Sequence, residues 1–262
     1  MQSVELAEKI SEIAVKAGDA IMVIYAKDFA IYEKSDESPL TEADLAAHNI
    51  IMEGLKAVSD LPVLSEESAN IDWQTRQQWD DYWLVDPLDG TKEFIKKNGE
   101  FTVNIALISQ GKPVLGVVYA PALKTTYAGV AGAGAWKIVD GVKTAIQPKA
   151  HDGEECWKVV GSRSHQSPEI QALLESLGGE AELVAMGSSL KLCLVAEGKA
   201  HLYPRLGPTS EWDTGAAQAV VEAAGGKVTV IDDSANALKA DAAPLLYNQK
   251  ESVLNPYFLV SC

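Results

Sequence analysis

Apolar residues recur at helical spacing from near the first residue given. Leu6, Ile10, Ile13, Ala14, Ala17, Ile21 and Ile24 fall on one face, with Glu5, Glu8, Lys9 and Glu12 between them. The pattern predicts an amphipathic helix over 3–25. A second helical run covers 42–58, with Thr41 placed to cap it and Asp44 at the third helical position. The period then changes. Leu61-Pro62-Val63-Leu64 and Tyr82-Trp83-Leu84-Val85 read as short buried strands, and 101–109, 112–120 and 125–138 as successive antiparallel ones, the first two joined through Gln110-Gly111. From 138 to 155 the chain is polar and irregular, a natural join between two halves, 1–150 and 151–262. Beyond it strands (157–160, 183–185, 201–203, 227–231) alternate with helices (168–177, 189–197, 214–224), which predicts an α/β half with a parallel-rich sheet following an α+β half.

Composition narrows the function classes. At 262 residues and 47% hydrophobic, the chain can bury a sizeable core and is too apolar to be disordered. No apolar run approaches the ~20 residues that span a bilayer, and the charged, amphipathic opening helix does not read as a signal peptide. Cys156, Cys193 and Cys262 are odd in number and form no C-x-x-C pair, which suits a reducing compartment and argues against a thiolate zinc site. A net charge of −15 disfavours nucleic acid and anionic membranes as partners. It leaves a small molecule as the expected partner, and a phosphate ester among these only where bound cations reverse the local sign.

The chemistry concentrates in Asp86-Pro87-Leu88-Asp89-Gly90-Thr91, at the end of a predicted buried strand, where ligand sites gather in sheets flanked by helices. The three-residue spacing of Asp86 and Asp89, about one helical turn, would let both carboxylates enter one cavity. Pro87 stiffens the first of them. Leu88 offers a backbone carbonyl, Gly90 close backbone approach, and Thr91 a hydroxyl at a predicted helix start. Asp-Pro and Asp-Gly are also ordinary turn formers, so partners elsewhere decide the reading. Three are present: Glu66-Glu67 after a predicted strand, Asp44, and Asp213 after Trp212. Each has a plainer role. The glutamates could be a solvated loop, Asp44 part of a capping box, and Asp213 the cap of 214–224, with Gly225 ending that helix. There is no EF-hand spacing, and an all-oxygen donor set favours Mg²⁺ or Mn²⁺ over zinc.

Taken together, SPLTEAD (38–44), VLSEES (63–68), YWLVDPLDGTKEFIKKNGEFTVNIAL (82–107), GVVYAP (116–121), SRSH (162–165), GSSLKLCLVAEG (187–198), LYPRLGPTSEWDT (202–214) and AAGG (223–226) resemble the inositol monophosphatase family of metal-dependent phosphatases. The likeness is closest to its bacterial 3′(2′),5′-bisphosphate nucleotidase branch and runs over nearly the whole chain. It implies a layered α-β-α-β-α sandwich of the inositol monophosphatase (sugar phosphatase) type, with the active site between the halves. Most metal ligands would then lie in 1–150, and the nucleotide-binding residues with Asp213 in 151–262.

The resemblance also implies two or three Mg²⁺ ions, with Mn²⁺ as a substitute. Glu66, Asp86 and the Leu88 carbonyl match the first ion's ligands; Asp86, Asp89 and Asp213 match the second's, Asp86 bridging; a weaker third ion would lie near Glu66 and Glu67. Asp44 and Thr91, with Glu66, match the residues that orient or deprotonate the attacking water. Gly90 and Thr91 would cradle the scissile phosphate beside Glu66, Leu88, Asp89 and Asp213, while Ser162, His165 and Lys191 would contact the rest of the substrate, with Arg205 a further candidate cation. The implied reaction converts 3′-phosphoadenosine 5′-phosphate to AMP and phosphate, with the sulfated analogue as a second substrate. It would be lithium-sensitive, clear a by-product of sulfur assimilation, and occur in the cytoplasm, free or peripheral on the cytoplasmic face of the inner membrane. The rivals are inositol monophosphatase or fructose-1,6-bisphosphatase activity, and a non-catalytic acidic cation- or nucleotide-binding protein.

Overall fold

The opening helix, α1 (Val4–Tyr25), forms where its period predicts. Ser3 caps it by accepting the Leu6 N–H (3.1 Å), and Leu6, Ile10, Ala14, Ala17 and Ile21 are buried. The computed structural model describes residues 3–27, 39–161, 168–231 and 242–262. The second helix, α2 (Pro39–Val58), starts three residues before the predicted 42, with proline in the first helical position, where a missing N–H costs nothing. Thr41 therefore lies inside the first turn and is not the cap.

A seven-stranded sheet follows: β1 (Val63–Ser65), then, beyond a 3₁₀ turn at Glu66–Ser68 and the short α3 (Trp73–Arg76), β2 (Asp81–Asp89), and after α4 (Thr91–Ile95) the meander β3 (Thr102–Ser109), β4 (Lys112–Ala120), β5 (Thr125–Val130), β6 (Gly134–Val139) and β7 (Val142–Ile146). Two expectations are corrected here. The run 125–138 is two strands joined by a turn at 131–133, and the supposedly irregular stretch after 138 contains β7. That edge strand is exposed along most of its length, so no burial pattern marks it in the sequence.

The second sheet is built from β8 (Trp157–Gly161), β9 (Ala181–Ala185), β10 (Leu202–Arg205), β11 (Lys227–Val230) and β12 (Phe258–Ser261), in the order β11-β12-β10-β8-β9, with α5 (Pro168–Ser176), α6 (Leu190–Ala196) and α7 (Glu211–Ala224) between them in the chain. The pairs β10–β8 and β8–β9 are parallel, but β12 inserts antiparallel between β10 and β11. The sheet is mixed, not parallel-rich, because a strand from the far end of the sequence completes it.

Strand alternation builds the layers. Trp83, Val85, Val103, Ile105 and Val117 pack with α1 and α2. Their neighbours Tyr82, Leu84, Ala106, Ile108 and Val118 pack on the other face with α6, α7 and one side of the second sheet (Val160, Tyr203, Phe258, Val260). That sheet's far side, through Val159, Leu202 and Leu259, meets Leu173 of α5. The order is helix, sheet, helix, sheet, helix, the layered α-β-α-β-α sandwich that the sequence implies.

α7 lies so close to the first sheet that glycine is required beneath it. A Cβ on Gly116 would sit 2.7 Å from Ala219 Cβ and 2.9 Å from Ala216 C, and one on Gly215 would sit 2.8 Å from Leu84 Cδ2. Gly116→Ala is expected to destabilise the protein by about 3 kcal/mol through overpacking, lowering Tm by roughly 6–12 °C in a thermal melt. Because α7 carries Asp213, activity should fall with it.

Candidate active site

Pairing registers assemble the acidic residues. β1 runs parallel to β2 with Ser65 opposite Val85, so Glu66, the residue after β1, emerges beside Asp86. On the other side β3 pairs Asn104 with Asp86 and Thr102 with Asp89: three steps along β2 match two along β3. This bulge corrects the helical-turn expectation. In a regular strand, residues three apart point to opposite faces. The extra residue restores the parity, so Asp86 and Asp89 share a face. Within the bulge Leu88 anchors its side chain in the core under α1 and α2 at 2% exposure, and its N–H donates to Asp86 Oδ1 (3.0 Å). Gly90 turns the chain at φ +99°, where a Cβ would come within 3.2 Å of Glu100 O and Phe101 Cα. Thr91 then opens α4, exposed to solvent.

Asp213 arrives from α7. It is the third residue of that helix and not its cap: Ser210 is the cap, and Asp213 Oδ2 accepts the Ser210 N–H (2.9 Å) to complete a capping box. The bond holds the carboxylate without engaging its second oxygen. Asp44 comes from the second turn of α2.

Electrostatics show that these groups face one another. Burial first, then Asp89, Glu66, Asp213 and Asp44, push the Asp86 carboxyl well above its usual range; its residue is 1% exposed. Burial and Asp213 raise Asp89 to about 7 against the opposing pull of Lys191 and the Ser189 N–H. Burial, Glu67 and Glu66 raise Asp44 to about 8. Burial raises Asp213 to about 6, with the Ser210 N–H, Arg205 and Lys191 opposing and Glu66 adding to the rise. Glu66 stands at the solvent-exposed rim; partial burial, Glu67 and Asp89 raise it, and a hydrogen bond with Asp86 pulls it back.

Five carboxylates from four segments thus crowd together with too little protein cation to neutralise them. Such a set of hard oxygen donors fits divalent magnesium or manganese. Among the described residues no three acidic, histidine or cysteine side chains already close on a single point, so a shared cation would have to draw these like charges together.

Beside them lies a cavity of about 80 Å³ lined by Asp89, Asp213, Ser188, Lys191, Tyr203 and Arg205. Lys191 Nζ sits 5.8 Å from the Tyr203 ring centroid. Arg205 Nη2 donates to the Pro208 carbonyl (2.9 Å), and its Nε is buried without a partner among the described residues. Asp44, Glu66, Asp86, Asp89, Lys191 and Asp213 thus lie within electrostatic reach of one another, with Leu88, Gly90 and Thr91 on the same turn of chain as Asp86 and Asp89. Ser162 and His165 lie outside the described residues. Sequence reasoning missed Ser188 and Ser189, although Gly187-Ser188-Ser189 carries a signal: a glycine and two small polar residues immediately before a helix.

Three comparisons bear on the identity of this site. The model of the inositol monophosphatase family matches residues 3–257. The chain is 52% identical over 257 residues to a 3'(2'),5'-bisphosphate nucleotidase, CysQ, of Salmonella typhimurium, covering 97% of this chain and 98% of that protein. Among solved structures it is similar to CysQ from Bacteroides thetaiotaomicron, a bacterial member of the inositol monophosphatase family (TM-score 0.84, 43% identity, 98% of this chain and 97% of that one). It shares the fold of an inositol monophosphatase from Zymomonas mobilis (TM-score 0.75, 21% identity, 99% and 94% covered).

Proposed function

The chain belongs to the inositol monophosphatase family, and from that premise we propose that it is a metal-dependent 3′(2′),5′-bisphosphate nucleotidase that hydrolyses 3′-phosphoadenosine 5′-phosphate to AMP and phosphate. The observation that carries the reading is the crowding of Asp44, Glu66, Asp86, Asp89 and Asp213 next to a cavity holding Lys191 and Arg205. An inositol phosphate with one ester has no use for that second cationic group. A substrate with a second, distant phosphate does.

Glu66, Asp86 and the Leu88 carbonyl would hold one ion, Asp86, Asp89 and Asp213 a second, and the pair Glu66 and Glu67 a weaker third. When bound, magnesium, or manganese in its place, supplies positive charge to the scissile phosphate and acidifies water. The remaining work falls to the chain. Thr91 and Asp44 would hold the attacking water, with the Asp44 carboxylate, beside Glu66 and Glu67, as the acceptor of its proton. Gly90 and Thr91 offer backbone N–H groups to the phosphate where the chain enters α4. Lys191 answers the charge of the second phosphate, with Ser162 and His165 as further contacts. The polypeptide would divide functionally at about residue 150, metal ligands before it and substrate contacts after. Among the described residues no helix is long and apolar enough to cross a membrane.

Side-by-side turnover of 3′-phosphoadenosine 5′-phosphate, 3′-AMP, inositol 1-phosphate and fructose 1,6-bisphosphate with Mg²⁺ tests the assignment; preference for either sugar substrate would overturn it. Lys191→Ala sharpens the test. A lost charge-assisted hydrogen bond is expected to lower kcat/KM for the bisphosphate roughly 10–100-fold, mostly through KM, while 3′-AMP changes by no more than a few fold. Equal losses would assign Lys191 to Asp89 and Asp213 instead.

A further inference from the structure

The strand that pairs with the acidic turn is polar where an apolar strand would be expected. On the face of β3 that meets α6 and α7, Ala106 and Ile108 are followed toward the site by Asn104 and Thr102, both fully buried. Their side chains converge on Ser189, the residue before α6. Thr102 Oγ1 lies 2.9 Å from Ser189 Oγ, and Ser189 Oγ donates to Asn104 Oδ1 (2.8 Å). Ser189 also donates its backbone N–H to Asp89 Oδ2 (2.6 Å).

One residue therefore grips the acidic turn with its main chain and the sheet with its side chain. The strand register makes this contact regular, since Thr102 pairs with Asp89 and Asn104 with Asp86. The approach needs its neighbours too. A Cβ on Gly187 would stand 2.8 Å from Glu100 O, and Ser188 takes the left-handed conformation at φ +47° to bring Ser189 round. Lys191 follows two residues later.

A network kept for stability alone would be fully satisfied. This one is not: among the described residues Asn104 Nδ2 is buried with no partner. An aliphatic side chain at 104 would continue the apolar face of Ala106 and Ile108 but would take from the Ser189 hydroxyl its acceptor. The polar choice makes sense at a site whose carboxylates must be held in place from behind.

We infer that Thr102, Asn104 and Ser189 form a positioning relay that fixes Asp89 against the head of α6, and so sets the distance between the cation-binding turn and Lys191. The relay rests on the reading of Asp89 as a metal ligand. It touches neither cation nor substrate, and outer partners of metal ligands usually tune affinity by 10–100-fold.

The test uses Thr102→Val, which deletes the hydroxyl at constant shape, Thr102→Ser, which keeps the hydroxyl but loses a methyl, and Ser189→Ala. Mn²⁺ binding to the full chain is read by electron paramagnetic resonance without substrate, alongside Tm and steady-state kinetics. The relay requires Thr102→Val and Ser189→Ala to bind Mn²⁺ about tenfold more weakly or worse and to lose kcat, while Thr102→Ser stays within threefold of wild type. A packing role gives the reverse order, Val tolerated and Ser harmful, and that result overturns the inference. So does wild-type Mn²⁺ affinity in both hydroxyl deletions. A wild-type protein that takes up no Mn²⁺ would overturn the metal reading itself, and the relay with it.

Discussion

Asp86→Asn is expected to abolish turnover, by roughly 10³-fold or more, and at the same time to make the metal-free protein more stable. Both effects come from the same position. Asp86 is 1% exposed and meets the charge of Asp89, Glu66, Asp213 and Asp44. As the residue shared by both proposed ions, its charge is the one the loaded site can least lose. Without metal the same charge is a liability, since the folded chain must either bury it among like charges or take up a proton that the unfolded chain would release. The neutral amide removes that penalty. Thermal melts in chelator should therefore place the variant above wild type. In saturating Mg²⁺ the gap narrows. Wild type gains about 2.7 kcal/mol at a hundredfold excess over Kd, while the variant moves by less than about 2 °C. Turnover within tenfold of wild type would remove Asp86 from the ion-binding set.

The parts of this site that the sequence reveals are those built locally. Asp86, Leu88, Asp89, Gly90 and Thr91 are contiguous, and their turn chemistry needs only near neighbours: an N–H from Leu88 to Asp86 and a positive φ at Gly90. α1 is equally legible, because its buried face repeats over six turns. What was misread depends on distant partners. The shared face of Asp86 and Asp89 comes from a bulge, which exists only relative to the partner strand β3. Ser210 and Asp213 are both good caps in isolation. The fold uses Ser210 and leaves Asp213 three residues inside, where one oxygen completes the capping box. β12 is four residues long, and its place between β10 and β11 follows from neighbours some thirty or more residues away. The contact of Ser189 with Asn104 spans 85 residues and leaves no trace in local pattern. Local periodicity thus locates the ligands, but their common orientation is a property of the sheet.

In chelator the protein is expected to lose stability as pH rises from 5 to 8, contrary to the usual behaviour of paired carboxylates. The sign follows from the direction of the shifts. Burial and mutual repulsion raise Asp213, Asp89 and Asp44 to about 6, 7 and 8 in the folded chain, against an ordinary aspartate value of 3.8. A carboxyl raised on folding holds a proton that the unfolded chain releases. Its contribution is complete below about pH 4 and disappears as pH passes the folded value. Glu211, buried beneath the head of α7 and raised to about 7 mainly by that burial, acts in the same direction. Asp72, Asp152 and Glu155 shift the opposite way through hydrogen bonds at the exposed surface, and their window lies below pH 5. His48 and His201, both lowered mainly by burial, oppose the trend only up to their ordinary value of 6.5, so the loss dominates above it. Between pH 5 and 8 this loss should lower Tm steadily in a thermal melt. Magnesium inverts the slope, because an ion binds the deprotonated carboxylates and must displace their protons, so its stabilisation grows with pH. Melts across this range, with chelator and with Mg²⁺, should give curves that diverge steadily toward alkaline pH. Parallel curves, or a chelated protein most stable at pH 8, would mean that these acids do not share one buried, cation-seeking site.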